Sequence, residues 1–198
     1  MPGLQPATLT GDLVTLEPLH PDHHDELVAA ASDGRLWELW YTSVPTPETM
    51  RADVERKLAE QAAGSRLPFV VRRNADGAVV GATTYLDVDL AVPRLEIGST
   101  WTARSAQRTG VNTESKLLLL THAFETVGCR AVEFRTHWHN HPSRTAIARL
   151  GAEQDGVLRN HRRLPDGSLR DTVVFSILDT EWPAVRAGLR SRLARPAG

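Results

Sequence analysis

The chain contains a single cysteine, no long apolar run and almost no net charge. Cys129 is the only cysteine among 198 residues, which excludes an internal disulfide framework and a zinc site built from paired cysteines. No segment approaches the ~20 apolar residues of a membrane span, and the N-terminal residues lack the pattern of a signal peptide. We therefore expect a cytoplasmic protein without a membrane partner.

Positive and negative charges nearly balance along the chain. Lys and Arg number 23, Asp and Glu number 24, and the formal net charge is -1. Such a chain has no basic field of the kind that drives non-specific binding to nucleic acid, so nucleic acid is not an expected partner. With 41% hydrophobic residues and no visible linker, we expect one domain over residues 8–194 with tails at 1–7 and 195–198. A homodimer is expected only because such dimers are common.

Alternating apolar and polar residues predict several strands. Residues 9–16 alternate as one strand, and residues 74–77 and 164–167 carry the Asn, Asp, Pro and Gly of tight hairpin turns. Arg170 and Asp171, beside the second of these turns, are expected to form an ion pair or to fix this last hairpin.

A long helix is predicted over residues 113–127. Its predicted buried stripe consists of Leu117, Leu118, Leu120, Phe124 and Val127. The predicted element order along the chain is β-α-α-β-β-β-α-β-α-β-β-α. This order predicts an α/β (α+β) fold in which a mixed central sheet of about seven strands carries helices on both faces.

Three histidines alternate in the stretch HWHNH, as His137, His139 and His141. Residues at i, i+2 and i+4 share one face of a strand, which is a suitable geometry for a metal ion. However, His137 ends the predicted strand and His141 lies at the start of the next helix. We expect their common face to break there and predict no metal; a His-metal hydrolase is an alternative with no other basis than this stretch.

A polar segment runs directly into the N-terminus of the long helix. Free backbone N–H groups and the positive end of the helix dipole at such a junction can hold a pyrophosphate, although an ordinary strand-to-helix turn has the same pattern. The residues concerned are Gln107, Arg108, Thr109, Gly110, Val111, Asn112 and Thr113.

The spacing Gln107-x-x-Gly110-x-Asn112 resembles the acyl-CoA loop Q/R-x-x-G-x-G/A of the GCN5-related N-acetyltransferase (GNAT) superfamily, in its RimJ/RimL-like branch. The resemblance covers roughly residues 8–194. Further similar segments are residues 14–19 with the opening strand, 96–98 with the central strand, 116–125 with the long helix and 140–152 with the segment after the fifth strand. This resemblance implies the GNAT fold.

The activity that the resemblance implies is acyl-CoA-dependent N-acetyltransfer. The cofactor would be acetyl-CoA or another acyl-CoA, and the acetyl group would pass directly to a primary amine in a ternary complex. The amine acceptor would be a protein N-terminus or a small molecule. No metal is implied.

The resemblance also assigns roles to residues, with two departures from the family pattern. Residues 107–113 would bind the pyrophosphate, Asn140 would contact the cofactor arm, and Ser143 would lie near the thioester sulfur. Asn112 stands where the loop usually has a second Gly or Ala, although Asn tolerates left-handed backbone angles. Ile147 stands where many members place a tyrosine general acid. A catalytically silent acyl-CoA-binding module is therefore an alternative.

Amine acetylation requires a neutral amine, a polarised thioester carbonyl and a hydrogen-bond donor for the departing thiolate. Glu96 is the candidate general base because burial would raise its pKa, while a structural carboxylate paired with Arg94 or Arg135 is the alternative. Ser143 is the candidate donor to the thiolate, and a helix N-cap is its alternative. From the resemblance, a backbone N–H of residues 98–100 would polarise the carbonyl.

Acceptor contacts are predicted on two segments. Asp87 and Asp89 could hold a cationic amine, and the alternative is that both are solvated as they leave a strand. Trp37, in the aromatic segment LWELWY at residues 36–41, could line an acceptor groove, because the first two helices cover the acceptor side of the GNAT fold. A place in the core is the alternative for these aromatic residues.

Overall fold

The computed structural model describes residues 4–89, 91–164 and 166–195. In chain order the strands are β1 (Leu9–Thr10), β2 (Val14–Pro18), β3 (Arg66–Arg73), β4 (Val79–Asp89), β5 (Arg94–Thr102), β6 (Ala131–His137), β7 (Glu153–Arg163) and β8 (Leu169–Leu178). The α-helices are α1 (His24–Ser32), α2 (Met50–Ala62), α3 (Val111–Thr121), α4 (His141–Leu150) and α5 (Trp182–Leu193). A π-helical segment, His122–Val127, continues α3.

The strands form one open sheet in the order β1-β2-β3-β4-β5-β6-β8-β7. Neighbouring strands are antiparallel, except that β5 and β6 run parallel. Parallel neighbours need a crossover connection, and the segment that carries α3 provides it. The predicted mixed α/β sheet is confirmed, with eight strands in place of about seven. The domain boundaries 8–194 stay a prediction.

The additional strand results from a hairpin near the N-terminus. Residues 9–16, predicted as one strand, divide into β1 and β2 around a turn. In that turn the backbone N–H groups of Asp12, Leu13 and Val14 donate to the carboxylate of Glu114 at 3.0, 2.6 and 2.7 Å. This interaction with α3 fixes the turn. A Cβ at Gly11 would lie 2.6 Å from Glu114 Oε2, so the close approach requires glycine there.

Helices cover both faces of the sheet, as predicted. On one face, α1 and α2 pack Leu27, Met50 and Val54 against the strands. On the other face, the buried apolar residues contributed by α3, α4 and α5 are Val111, Leu119, Leu120, Ile147, Leu150, Trp182, Val185 and Leu189. No helix in the described ranges is both long and apolar enough to cross a bilayer.

The helix α3 buries a different set of residues from the predicted stripe. It begins at Val111, earlier than predicted. Leu120 and Val127 are buried as expected, but Leu119 replaces the half-buried Leu117, Leu118 and Phe124. The first turns also bury polar residues, because each of these has a hydrogen-bond partner. Glu114 and Lys116 bond the N-terminal hairpin and the sheet, and Ser115 Oγ donates to the carbonyl of Val111 in the same helix. The buried polar residues are Glu114, Ser115 and Lys116.

The two predicted hairpin turns have different outcomes. Residues 74–77 connect β3 and β4 as predicted. In the second turn, Pro165 lies outside the described residues. Asp171 accepts hydrogen bonds from Arg159 Nε and from the backbone N–H of Asn160, each at 2.7 Å. Asp171 therefore fixes the last hairpin, whereas the expected ion pair with Arg170 is wrong.

We expect Glu114→Ala to lower the free energy of unfolding by about 3 kcal/mol, because three backbone N–H groups lose a charged acceptor. Urea denaturation measures the change. Glu55→Ala, an exposed residue of α2, is the control and should change stability by less than about 0.5 kcal/mol. Equal stability of the two variants would contradict the role given to Glu114.

Candidate active site

The strands β5 and β6 pair for a short distance and then separate. Residues 94–96 of β5 pair with residues 131–133 of β6, yet β5 continues to Thr102 and β6 to His137. Beyond this short ladder, the described residues of β5 form no further pairs with those of β6. An unpaired strand edge can receive an extended ligand arm through main-chain hydrogen bonds. The opening between β5 and β6 is therefore a candidate ligand site.

A β-bulge interrupts β5 beside this opening. Two residues of β5, Ser99 and Thr100, lie opposite one residue of β4, Thr83. Ser99 has φ 46°, a left-handed conformation that is uncommon outside glycine and that such a bulge imposes. The predicted polarisation of a carbonyl by a backbone N–H of residues 98–100 stays a prediction.

Side chains of the predicted phosphate loop bind the loop's own backbone. Gln107 Nε2 donates to the carbonyl of Thr102 at 2.9 Å, and Thr109 Oγ1 donates to the carbonyl of Ala106 at 2.7 Å. Arg108 has φ 61° and makes the left-handed turn of the loop. These contacts fix the shape of the loop and engage the side chains of Gln107 and Thr109 within the protein.

The free N–H groups at this junction belong to the first turn of α3. Asn112 is helical, so the left-handed conformation considered for it lies at Arg108 instead. The backbone N–H groups of Asn112 and Thr113 form no hydrogen bond with any of the described residues. Helix N-termini with free N–H groups bind anions well. The junction therefore fits a diphosphate.

Asn140 and Ser143 lie at the start of α4, beside the end of β6. Asn140 is the N-cap, and its Oδ1 accepts the backbone N–H of Ser143 at 3.1 Å. The capping role considered for Ser143 thus belongs to Asn140. Ser143 is half-buried, and its hydroxyl has no hydrogen-bond partner in the described part of the chain. Their roles at a cofactor stay predictions. Ile147 is buried in the core.

Glu96 is buried on the face of β5 opposite Leu95 and Ile97. Its side chain occupies space above Gly98, where a Cβ would lie 2.6 Å from Glu96 Oε1. Arg135 Nη1 lies 3.6 Å from Glu96 Oε2. Burial raises the pKa of Glu96 to about 7, although Arg135 opposes the rise. Such a carboxyl exchanges its proton near neutral pH, which suits a general base.

The two predicted acceptor aspartates have different surroundings. Asp87 is exposed and accepts a hydrogen bond from Arg135 Nη1 at 3.0 Å. Asp87 therefore shares an arginine with Glu96. Asp89 accepts the backbone N–H groups of residues 91 and 92 at 2.9 and 3.1 Å, and so closes the turn after β4.

Trp40 contacts the histidine segment, and Trp37 does not share this position. Trp37 is half-buried against the core formed by α1 and α2, and its predicted acceptor role stays a prediction. The ring centroid of Trp40 lies 5.2 Å from that of His137 and 5.6 Å from that of His139. The side chain of Trp40 is 63% exposed, so it forms an accessible aromatic wall beside β6.

The histidines of HWHNH do not share one strand face. β6 ends at His137 and α4 begins at His141, which is the break that the sequence predicts. In residues 4–89, 91–164 and 166–195, no group of three or more His, Cys, Asp or Glu side chains is arranged to hold a metal ion.

Lys116 is a buried residue that the sequence analysis missed. Its Nζ donates to Thr100 Oγ1 at 2.8 Å and lies 3.4 Å from Thr83 Oγ1. Its side chain forms no ion pair with a carboxylate among the described residues, and burial lowers its pKa to about 7. The Lys116 amine therefore stabilises the bulge of β5 through its hydrogen bond to Thr100. A lysine directly before four leucines was the only signal in the sequence.

Comparisons with known proteins agree with this geometry. A model of the acetyltransferase (GNAT) domain family matches residues 14–153, more than half of the chain. The chain belongs to the GNAT acetyltransferase family. This GNAT protein is therefore an enzyme of the N-acetyltransferase class, as the sequence resemblance predicts. No curated protein matches the sequence.

Solved structures of other GNAT proteins are similar along almost the whole chain. A GCN5-related N-acetyltransferase from Brucella melitensis is 34% identical, with TM-score 0.85, covering 98% of this chain and 88% of that chain. Mycobacterium smegmatis RimJ, solved in complex with CoA-disulfide, is 26% identical, with TM-score 0.79 and coverage of 94% and 95%. The microcin C7 self immunity acetyltransferase MccE, at 16% identity, TM-score 0.74 and coverage of 85% and 93%, shares the fold. The RimJ-like branch is confirmed.

We expect Lys116→Met to flatten the pH dependence of stability between pH 7 and 10.5, the pKa values of this lysine in the folded protein and in a free chain. Between these values the unfolded chain binds one more proton, so the stability of the unmodified protein rises with pH there. The variant lacks this contribution. Urea denaturation across the window measures it.

Lys57→Met is the matched control, because Lys57 is a buried lysine that is paired with Asp53 at 2.6 Å. It should retain the rise in stability with pH. Identical slopes for Lys116→Met and the unmodified protein would show that Lys116 keeps its proton in the folded state.

Proposed function

We propose that this GNAT enzyme transfers an acetyl group from acetyl-CoA directly to a primary amine within a ternary complex. The observation that carries the proposal is the position of Glu96, a buried carboxyl with a pKa of about 7 at the last paired position before the opening. A base that works near neutral pH, beside an unpaired strand edge, is what the acetylation of an amine requires.

The residues at the opening fit an acyl-CoA. The free edge of β5 would pair with the amides of the pantetheine arm, and the N–H groups of Asn112 and Thr113 would bind the diphosphate. The similarity to M. smegmatis RimJ, which binds CoA-disulfide, supports this assignment. When bound, acetyl-CoA supplies the activated acyl thioester.

Glu96 would take the proton that an alkylammonium must lose before it attacks. Above about pH 7 the carboxyl is ionised and its oxygen accepts this proton directly or through one water. Arg135, at 3.6 Å, favours the ionised form, whereas nearby Asp87 opposes it. These neighbours adjust the pKa of Glu96 within a buried site.

Direct transfer is favoured because the chain offers no activated thiol. Cys129 is the only cysteine, it is 3% exposed, and burial raises the pKa of its thiol to about 11. Thiolates are the nucleophilic form, so Cys129 is a poor acyl acceptor. Ile147 is apolar and cannot donate a hydrogen bond to the departing sulfur. The hydroxyl of Ser143 would donate it instead.

We expect Glu96→Gln to lower kcat about 10²–10⁴-fold, because glutamine cannot accept the proton of the amine. In the unmodified enzyme, kcat/KM for the acceptor should rise with pH through about 7, the pKa of Glu96 in the ligand-free folded protein. The variant should lose this limb. Release of CoA thiol from acetyl-CoA, measured with a panel of primary amines, provides both readouts.

Glu133→Gln is the matched control. Glu133 lies opposite Glu96 in the β5–β6 ladder, and its carboxylate binds Arg135 at 2.8 Å. The substitution therefore removes a carboxylate next to Glu96 and leaves Glu96, the proposed base, unchanged. This variant should keep most of the activity and the pH limb. Full activity of Glu96→Gln would exclude Glu96 as the base. Binding of CoA without thiol release for any amine would identify a silent module.

A further inference from the structure

The sheet face that carries Glu96 continues across β6, β8 and β7. Residues opposite each other in neighbouring strands point to the same face. His137 of β6 is opposite Thr172 of β8, and Arg170 of β8 is opposite Arg162 of β7. Because residues two apart in a strand share a face, Arg170 lies on the face of Thr172 and His137. His161 joins this group, since its Nδ1 lies 3.1 Å from Thr172 Oγ1.

We call Arg162, Arg170, His137 and His161 the basic strip. Neither arginine of the strip forms an ion pair with a carboxylate in the described part of the chain. Arg170 is half-buried, and its Nε is buried without a hydrogen-bond acceptor. Burial and the neighbouring Arg162 lower the pKa of Arg170. Like charges directly opposite each other destabilise a strand pair, so this arrangement carries a cost in the folded enzyme.

Other arginines on these strands do have carboxylate partners. Arg135 binds Glu133 and Asp87, and Arg159 binds Asp171. The acidic residues near the site are thus already paired with arginines outside the strip. Among the described residues, Arg162 and Arg170 therefore have no carboxylate at ion-pair distance, and Glu96 is the carboxylate whose charge acts on the pKa of Arg170.

His137 adds a buried donor to the strip. Its Nδ1 accepts the backbone N–H of His139 at 3.0 Å, so the neutral ring carries its proton on Nε2. This Nε2 is buried and has no acceptor among the described residues, and the side chain is 4% exposed. Burial and the charge of Arg170 lower the pKa of His137. A neutral imidazole therefore presents an N–H that no described group uses.

We infer that the basic strip binds an anionic group, carboxylate or phosphoryl, that the amine acceptor carries in addition to its amine. Guanidinium groups and an N–H donor suit both anions, and arginine binds either through two parallel hydrogen bonds. The inference rests on the proposed function, because it names the class of acceptor for the same site.

The basic strip lies on the same sheet face as Glu96, because Glu96 is opposite Glu133 and the register continues from β6 to β8 and β7. The charges also act on each other, since Glu96 raises the pKa of Arg170 and Arg162 lowers that of Glu96. An acceptor with its amine at Glu96 and an anion at Arg170 would therefore be a zwitterion. A protein N-terminus fits less well, since the group next to its amine is a neutral peptide bond.

The first test compares matched acceptors with the complete enzyme and acetyl-CoA. β-Alanine is compared with propylamine, and O-phosphoethanolamine with ethanolamine, so that the members of each pair differ in the anionic group. We expect kcat/KM to be about 10-fold to 100-fold higher for the preferred anionic amine than for its neutral counterpart. The better of the two pairs distinguishes a carboxylate site from a phosphoryl site.

Arg170→Gln and Arg162→Gln should each remove most of this preference. They should raise KM for the anionic amine and, measured well above pH 7 where Glu96 is ionised, change KM for the neutral amine far less, whereas Arg170→Lys should restore part of the preference. The matched control is Arg163→Gln, which removes the adjacent arginine, bound to the carbonyl of Gly167 at 3.1 Å. It should behave as the unmodified enzyme. Arg162 is exposed, so its variant serves if Arg170→Gln does not fold.

A binding measurement separates this inference from the proposed function. The measurement uses saturating CoA to occupy the diphosphate site. β-Alanine or O-phosphoethanolamine should then raise the Tm of the unmodified enzyme but not that of Arg162→Gln or Arg170→Gln. Such a shift without acetylation of any amine would contradict the proposed function and support the anion site. Equal kcat/KM within both pairs, or no variant-sensitive Tm shift, would overturn the inference and leave amine acetylation standing.

Discussion

The short parallel ladder between β5 and β6 determines the layout of the active site. Only residues 94–96 pair with β6, and each further residue of β5 has one bonded neighbour strand instead of two. The resulting gap exposes main-chain groups that a ligand can use, next to the first turn of α3. Glu96 occupies the last rung of the ladder. It is therefore enclosed by strands on both sides and still borders the gap, so the carboxyl is buried and yet lies at the candidate ligand site.

Two buried ionisable groups flank the gap on opposite faces of the sheet. Burial shifts the pKa of Glu96 up and that of Lys116 down, and both come to about 7. At pH 7 each group is thus about half in its neutral form, which reduces the cost of burying a full charge. The two groups differ in partners: Glu96 is near Arg135, while Lys116 is held by the hydroxyls of Thr83 and Thr100. Glu96 lies on the face that carries the proposed acceptor site, and Lys116 contacts the bulge residue Thr100 from the other face.

The sequence predicts features that depend on local pattern or motif. The strand–helix order, the turn at residues 74–77 and the break of the histidine face follow from periodicity, turn chemistry and helix boundaries. Contacts between distant positions are different, because no local pattern specifies them. The N-terminal hairpin depends on Glu114, which lies 101 positions from Leu13, and the partner of Asp171 is Arg159 of the neighbouring strand instead of Arg170. Trp37 and Trp40 look equivalent in the sequence, and only the fold places Trp40 beside His137.

The carboxylate of Glu114 also connects the N-terminal hairpin with the proposed diphosphate site. It accepts three N–H groups before and within β2, and it lies one residue after Thr113, whose own N–H has no partner in the described part of the chain. A ligand that stabilises the first turn of α3 would therefore also hold in place Glu114, the hydrogen-bond acceptor of this hairpin. Opening of the hairpin leaves a buried anion without donors, so it becomes rarer when the helix is held in place. Amide hydrogen exchange in β2 should consequently slow when CoA binds, although β2 does not border the gap between β5 and β6.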